Sequence, residues 1–217
     1  MEEILQYVSF GVVILCAIGI LLFATLGKKQ SQTRELVFAA SCIALSFVLS
    51  FVKVKVGAEG GSVTLASFVP IIIYSYVFGI RKGLLVGAIY GFLQILEGGC
   101  YFVDIFQFLC DYILAFASVG LASVFKKVSK GKNWGIYAGV VLVIFVRFLM
   151  HTIAGMYWYS EIAFIEALGI SIVYNGTYML PELVITTAVV ALLVQSGNFG
   201  YLTRVLSAKK AEKSEEK

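Results

Sequence analysis

Long uninterrupted apolar stretches are the feature that most limits what this chain can fold into. Seven of them follow one another along 217 residues, separated by short polar joints. A helix that crosses the hydrocarbon core of a bilayer needs roughly 20 mostly apolar residues. Hydrophobic residues make up 60% of the chain, a larger share than in an ordinary globular domain. The sequence therefore predicts an all-α integral membrane protein, with runs over Ile4–Leu26, Leu36–Val52, Leu65–Ile80, Leu84–Leu96, Ile105–Phe125, Ile136–Trp158 and Ile170–Val194.

The positions of lysine and arginine predict how these helices are oriented. Alternate joints carry the positive charge, and the charged C-terminal segment carries more of it. Cytoplasmic joints are enriched in lysine and arginine. We therefore expect a multi-pass protein of the cell membrane with its N-terminus outside and its C-terminus in the cytoplasm. The distribution of the charge therefore matters more than the net value of +4, and no nucleic-acid partner is expected. The opposite joints hold Lys53 and Lys55 but also Glu59, Glu97, Asp104, Glu161 and Glu166. The basic residues on the expected cytoplasmic side are Lys28, Lys29, Arg34, Arg81, Lys82, Lys126, Lys127, Lys130, Lys132, Arg204, Lys209, Lys210, Lys213 and Lys217.

Three segments follow from these patterns. Residues 1–30 are expected to form an additional N-terminal transmembrane helix, residues 31–200 a six-helix domain, and residues 201–217 a charged cytoplasmic tail. A cleavable signal was the alternative for the first run. Glu2 and Glu3 replace the basic start of a signal, and Lys28 and Lys29 follow the run. A retained helix is therefore favoured.

The sequence also limits the chemistry that can be expected. It contains no phosphate-binding loop, no nucleophile elbow and no zinc or calcium signature, and it has a single histidine. A membrane enzyme needs acids, histidines or metal ligands clustered at depth. We therefore expect neither catalysis, nor a metal, nor a cofactor. Uphill transport would draw its energy from an ion gradient or from a partner subunit.

Polar residues recur at helical spacing inside the last three runs. Ionisable groups at membrane depth are costly and mark functional sites. Each set falls on one helix face, and together they predict a pocket of apolar walls with a few convergent polar groups. Structural roles are the alternative: an ion pair between Arg147 and Asp111, Asn175 as an interhelical contact, and an aromatic belt around Tyr157–Tyr159. The three sets are Asp104, Gln107 and Asp111; Arg147, His151, Gly155 and Trp158; and Asn175, Tyr178 and Glu182.

Several of these stretches, in order and over residues 34–197, resemble one known family. They are EGGSVTLASFVPI (Glu59–Ile71), QFLCDYILAFASVGLASVF (Gln107–Phe125), VRFLMHTIAG (Val146–Gly155) and YNGTYMLPE (Tyr174–Glu182). The family is that of the thiamine-specific substrate-binding (S) components of energy-coupling factor (ECF) transporters. The resemblance implies a six-helix bundle that binds thiamine near the outer face, under the loop joining its first two helices. A shared membrane subunit and two ABC ATPases would be the partners.

The family's binding residues can be assigned to positions of this chain that match its motifs. Ile170 stands where the family has a pocket tyrosine, so Tyr174 or Tyr178 is expected to replace it. Trp158 and Tyr159 are alternative positions for the aromatic lid. A small-residue step formed by Ala40 and Ala44 on the first family helix is expected to contact the shared membrane subunit. The expected substrate-binding residues are Tyr90, Asp111, Tyr112, His151, Gly155, Trp158, Tyr159, Asn175 and Tyr178.

Thiamine chemistry suits this set of residues. Aromatic faces attract a flat cation, here the thiazolium ring. Asp111 can accept a hydrogen bond from the pyrimidine amino group, while His151 and Asn175 can bond to ring nitrogens. Three alternatives remain open at this stage: an S component for another vitamin or a thiamine precursor, a stand-alone secondary transporter, and a membrane-embedded enzyme.

Overall fold

A computed structural model of the chain describes residues 33–57, 61–97, 105–159, 161–197, 199–201 and 203, together with residues 15, 18, 19 and 22. The helix expected over residues 1–30 lies outside the described residues except for residues 15, 18, 19 and 22, which are helical. The tail expected over residues 201–217 likewise lies outside them, except for Tyr201 and Thr203.

Between residues 33 and 197, the described part of the chain forms six helices and one short β-hairpin. This number is consistent with the expected six-helix bundle. The hairpin lies between the first two helices, where the sequence indicated only a polar joint. In chain order the elements are α1 Thr33–Ser50, β1 Lys53–Lys55, β2 Ser62–Thr64, α2 Val69–Phe78, α3 Ile80–Gln94, α4 Ile105–Lys126, α5 Trp134–Trp158 and α6 Phe164–Gln195.

Four of these helices are long and apolar enough to cross a membrane, namely α1, α4, α5 and α6. The two remaining apolar runs form shorter helices, which agrees with the expectation that two short runs are tilted or cover only part of the bilayer. Helix α2 has ten residues and rises only about 15 Å, and α3 has 15 residues. The run over Leu65–Ile80 is apolar because α2 is a core helix, with Ile71 and Ile72 fully buried. Gly79, at φ +96°, separates α2 from α3.

The hairpin forms where valine alternates with polar residues on two short segments. The strands β1 and β2 are antiparallel, with Lys53 opposite Thr64 and Val54 opposite Val63. Alternating patterns of this kind suit a strand with two different faces. Gly57, at φ +71°, lies in the connection between the strands. The hairpin thus spans one end of the bundle between α1 and α2.

Small residues on α3 let the backbone of α4 come close. A Cβ atom on Gly91 would lie 1.9 Å from the carbonyl oxygen of Tyr112, and one on Gly87 would lie 2.2 Å from that of Phe116. Within α4 the turns over Leu109–Leu114 widen into a π-helix, a rare form that is frequent at functional sites. This wide segment carries Asp111 and Tyr112.

The two ends of the bundle differ in charge. The end opposite the hairpin carries the basic joints between α2 and α3 and between α4 and α5. There Lys82 pairs with Glu35, which joins α3 to α1. Lys126 donates to the carbonyl oxygen of Val77 at 3.0 Å, which joins α4 to α2. Among the described residues, the hairpin end carries Lys53 and Lys55, of which Lys53 is paired with Glu97, whereas both basic joints lie at the opposite end.

Candidate functional site

A cavity of about 500 Å³ opens under the hairpin at its end of the bundle. Its wall comes from the hairpin, the following turn, and helices α3, α4, α5 and α6. Ligand pockets generally have volumes of about 300–1,000 Å³ and combine apolar walls with a few placed polar groups. This cavity has the size and composition of a small-molecule site.

All nine residues expected from the sequence to bind substrate line this cavity. They come from four helices and are up to 88 positions apart, from Tyr90 to Tyr178. Trp158 and Tyr159 both line it, as do Tyr174 and Tyr178, whereas Ile170 is exposed elsewhere on α6. The nine are Tyr90, Asp111, Tyr112, His151, Gly155, Trp158, Tyr159, Asn175 and Tyr178.

A carboxylate–imidazole pair joins α4 to α5 inside the cavity. The Nδ1 atom of His151 lies 2.7 Å from Oδ1 of Asp111. The other ring nitrogen of His151 is buried and has no hydrogen-bond partner among the residues that the structure describes. A buried polar atom without a partner is uncommon in folded proteins. This nitrogen is therefore available to a ligand that fills the cavity.

A second polar cluster joins α5 to α6. The amide nitrogen of Asn175 donates to the carbonyl oxygen of Ser171 at 2.8 Å and to its Oγ at 3.1 Å. The hydroxyl of Tyr178 donates to Oδ1 of Asn175. Ser171 in turn donates to the carbonyl oxygen of Thr152 at 2.9 Å. Because both amide hydrogens of Asn175 are used, a ligand can reach this side chain only through the second lone pair of its oxygen.

Aromatic rings form the floor and the mouth of the cavity. Tyr90 is buried in the floor, edge-on to Phe68 and Phe116, and its hydroxyl donates to the carbonyl oxygen of Ser46 at 3.2 Å. Trp158 lies near the end of α5 and is half-exposed. Tyr90 thus presents its ring to the cavity, while its polar atom is turned towards α1.

Arg147 is a lining residue that the sequence placed on the polar face of α5 but not among the binding residues. Its side chain is 8% exposed, and its guanidinium lies 4.0 Å from the ring centre of Phe68 and 4.8 Å from that of Phe116. Among the described residues, Asp111 is hydrogen-bonded to His151 and forms no ion pair with Arg147. The structural Arg147–Asp111 ion pair that the sequence left as an alternative is therefore not formed.

Two sets of contacts hold the hairpin over the cavity. On the α6 side, Gly61 donates its N–H to the hydroxyl of Tyr174 at 2.8 Å, and Thr64 bonds to Glu182. On the α3 side, Lys53 Nζ lies 2.5 Å from Oε1 of Glu97. No local pattern indicated these contacts, because they depend on a hairpin that the sequence did not predict.

Helices long enough to span a bilayer, together with this covered cavity of charged, hydrogen-bonding and aromatic groups, define a small-molecule-binding membrane protein. Comparison with known proteins gives the particular family. The model of the family described as thiamine transporter protein (Thia_YuaJ) matches residues 36–199. The chain belongs to this thiamine transporter family.

Individual relatives agree with this assignment. The thiamine transporter ThiT of Bacillus subtilis (strain 168) is 32% identical over 146 residues, which are 62% of this chain and 76% of the relative. The solved structure of ThiT from Listeria monocytogenes superposes with a TM-score of 0.65 at 23% identity, covering 76% of this chain and 94% of that one. An S component of a bacterial ECF transporter gives a TM-score of 0.56 at 19% identity, covering 78% and 98%.

These findings confirm three of the sequence-based expectations. The resemblance to the thiamine-specific family is confirmed, and so is the all-α membrane fold of S-component type. The family is one of transporters and not of enzymes. The protein is therefore a multi-pass membrane protein of a transport family.

Proposed function

We propose that this chain is the substrate-capture subunit of an ECF-type ABC importer and that it binds thiamine in the cavity under the hairpin. The observation that carries the proposal is the cavity itself. It brings together an acid–imidazole pair, an asparagine–tyrosine cluster and several aromatic faces in a volume of about 500 Å³. That is the set of groups which an aminopyrimidine joined to a cationic ring requires.

The polar groups can be assigned to the two rings by their chemistry. Asp111 only accepts when ionised, so it suits the amino group of the pyrimidine. The unpartnered Nε2 of His151 and the free lone pair of Asn175 supply directional bonds to the same ring. Burial away from water strengthens each of these interactions.

The aromatic residues of the cavity form two groups: those whose ring faces already contact a cation of the protein, and those whose ring faces can receive the cation of the ligand. In the floor, Phe68 and Phe116 are stacked against the guanidinium of Arg147. A second cation placed there would be repelled by this charge. The thiazolium ring is therefore expected nearer the mouth, against Tyr112, Trp158 or Tyr159. A cation–π contact at such sites contributes about 0.5–2 kcal/mol.

The charged ends of the bundle support the proposed orientation in the membrane. The basic joints lie at the end opposite the cavity, and lysine and arginine favour the cytoplasmic side. The cavity would then open outward, with the N-terminus outside and the C-terminus in the cytoplasm. A vitamin can thus be captured from the exterior without energy input from this chain.

Energy would come from partners in the same membrane. The expected partners are the ECF membrane subunit and two ABC ATPases. Ala40 and Ala44 are both exposed along α1, on a face that does not line the cavity. Small residues one turn apart let another helix approach closely. This face supports docking of the membrane subunit away from the ligand.

Intrinsic fluorescence tests the proposal directly, because the chain has only two tryptophans. Trp158 lines the cavity, whereas Trp134 lies at the start of α5, at the opposite end beside Phe125. In a Trp134→Phe variant, titration with thiamine should quench the remaining tryptophan at low ligand concentration. Replacement of Asp111 or Asn175 by alanine should shift the titration to much higher concentrations.

The ligand panel decides between substrates. Hydroxymethylpyrimidine, riboflavin and biotin should quench Trp158 weakly or not at all. Tight binding of one of these with no response to thiamine would overturn the substrate assignment. Uptake that depends on an ion gradient and persists without any ATPase would overturn the assignment as a subunit of an ABC importer.

A further inference from the structure

Glu182 is a buried carboxylate that the proposed function does not yet use. It lies on α6 one turn beyond Tyr178, its residue is 1% exposed, and it does not line the cavity. An ionisable side chain within a membrane-spanning helix is expensive to bury and marks a functional contribution. Its cost must be offset by the groups that it binds.

Both carboxylate oxygens of Glu182 are used by a single residue of the hairpin. Thr64 donates its backbone N–H to Oε2 at 2.7 Å and its hydroxyl to Oε1 at 2.8 Å. The hydroxyls of Thr64 and Ser67 lie 2.7 Å apart. Because the Thr64 hydroxyl hydrogen is given to Glu182, the Ser67 hydroxyl is the donor in this second bond. The carboxylate therefore fixes the orientation of the Thr64 hydroxyl directly and that of the Ser67 hydroxyl through Thr64.

The segment that these bonds hold is part of the cavity wall. Thr64, Ser67 and Phe68 all line the cavity. Between them Ala66 adopts φ +55°, a left-handed conformation that costs energy for a residue with a Cβ atom. Such a turn persists only where its surroundings fix it. Here Glu182 fixes Thr64 at one end.

Arg147 fixes the other end of the same turn. Its guanidinium stacks on Phe68 at 4.0 Å from the ring centre. Arg147 and Glu182 also interact electrostatically across the gap between α5 and α6. The turn Thr64–Phe68 is thus held between a buried anion and a buried cation, each supplied by a membrane-spanning helix.

We infer that Glu182 is a positioning residue for ligand binding: through Thr64 it fixes the turn Thr64–Phe68 and thereby the wall and cover of the cavity. The inference rests on the proposed function, since its readout is bound thiamine. Without the carboxylate, the strained turn and the hairpin would relax and the bound ligand would escape faster. Glu182 itself does not touch the ligand.

Dissociation kinetics of thiamine in the Trp134→Phe background test this role. Glu182→Met keeps the side-chain length but removes both acceptors, and it should speed dissociation by about thirtyfold, the factor that the loss of two hydrogen bonds represents. Glu182→Gln should recover part of the loss, because its amide can accept from the N–H and donate to the hydroxyl of Thr64. Thr64→Val should also speed dissociation, because it removes the hydroxyl that donates to Oε1 of Glu182.

A double variant separates positioning from general destabilisation. If Glu182 acts through Thr64, Glu182→Met combined with Thr64→Val should dissociate no faster than Glu182→Met alone. Amide hydrogen exchange in residues 62–68 should also rise in Glu182→Met without any ligand. Glu35→Met, which removes the carboxylate paired with Lys82 at the far end, is the control and should change neither measurement.

Several results would overturn the inference. A wild-type dissociation rate in Glu182→Met would do so. So would a double variant in which the rate increases caused by Glu182→Met and by Thr64→Val multiply. If Glu182→Met does not fold, Thr64→Val decides alone, and a wild-type rate in that variant refutes the role. A wild-type chain that does not bind thiamine would refute the proposed function instead, and the exchange measurement would still report on the turn.

Discussion

Replacing Gly155 by alanine should weaken thiamine binding through α6, although the new methyl group is small. An ideal Cβ atom at this position would lie 2.3 Å from Oγ of Ser171 and 3.2 Å from its Cβ. The first distance is far inside van der Waals contact, so the serine hydroxyl must rotate away. The second requires a small shift of α6 as well.

The cost follows from the bonds that Ser171 makes. Its hydroxyl donates to the carbonyl oxygen of Thr152 at 2.9 Å and accepts from the amide of Asn175 at 3.1 Å. Each bond contributes about 1 kcal/mol. Losing both amounts to about 2 kcal/mol, or about thirtyfold in Kd if the cost falls on the bound state.

Two alanine substitutions on α6 are matched controls. Gly169 and Gly176 have open space where a Cβ atom would be placed. Alanine there should leave the affinity unchanged and stabilise the helix by up to about 1 kcal/mol. Fluorescence titration of Trp158 and thermal unfolding measure the two quantities.

The double variant Gly155→Ala with Ser171→Ala tests the mechanism. Because Ser171→Ala alone already removes both bonds, the double variant should bind about as well as that single variant. Wild-type affinity in Gly155→Ala would refute the reasoning, and losses that multiply in the double variant would show that the methyl group acts elsewhere.

Three further predictions concern the hairpin and the docking face. Glu97→Gln removes the ion pair between Glu97, whose side chain is 3% exposed, and Lys53, whose side chain is 23% exposed. Thiamine should then dissociate up to about fivefold faster, and the salt dependence of the wild-type dissociation rate in stopped-flow measurements should disappear. Gly61→Ala places a methyl group 2.7 Å from the ring of Tyr178 and should weaken binding by about tenfold in a titration. Leucine at both Ala40 and Ala44 should abolish ATP-driven uptake by cells while thiamine binding stays intact; unimpaired uptake would contradict a docking role.

The sequence alone was sufficient for the helices and for the faces that carry polar groups. Apolar length predicts membrane helices because each backbone bond in a helix is local, so no knowledge of the rest of the fold is needed. Helical spacing likewise indicated that His151, Gly155 and Trp158 share one face of α5. Six of the nine expected residues lie on three such faces, which converge on one cavity, whereas Tyr90, Tyr112 and Tyr159 were expected from the family resemblance.

Tertiary structure decided the features that depend on distant partners. The bonds between Thr64 and Glu182 join residues 118 positions apart, and Lys53 and Glu97 are 44 apart. The pairing of Asp111 with His151 rather than Arg147 depends on the wide turns of α4 and on where Phe68 and Phe116 stand. Short-range patterns specify which residues face inward, but the partner that each meets there depends on how the helices pack.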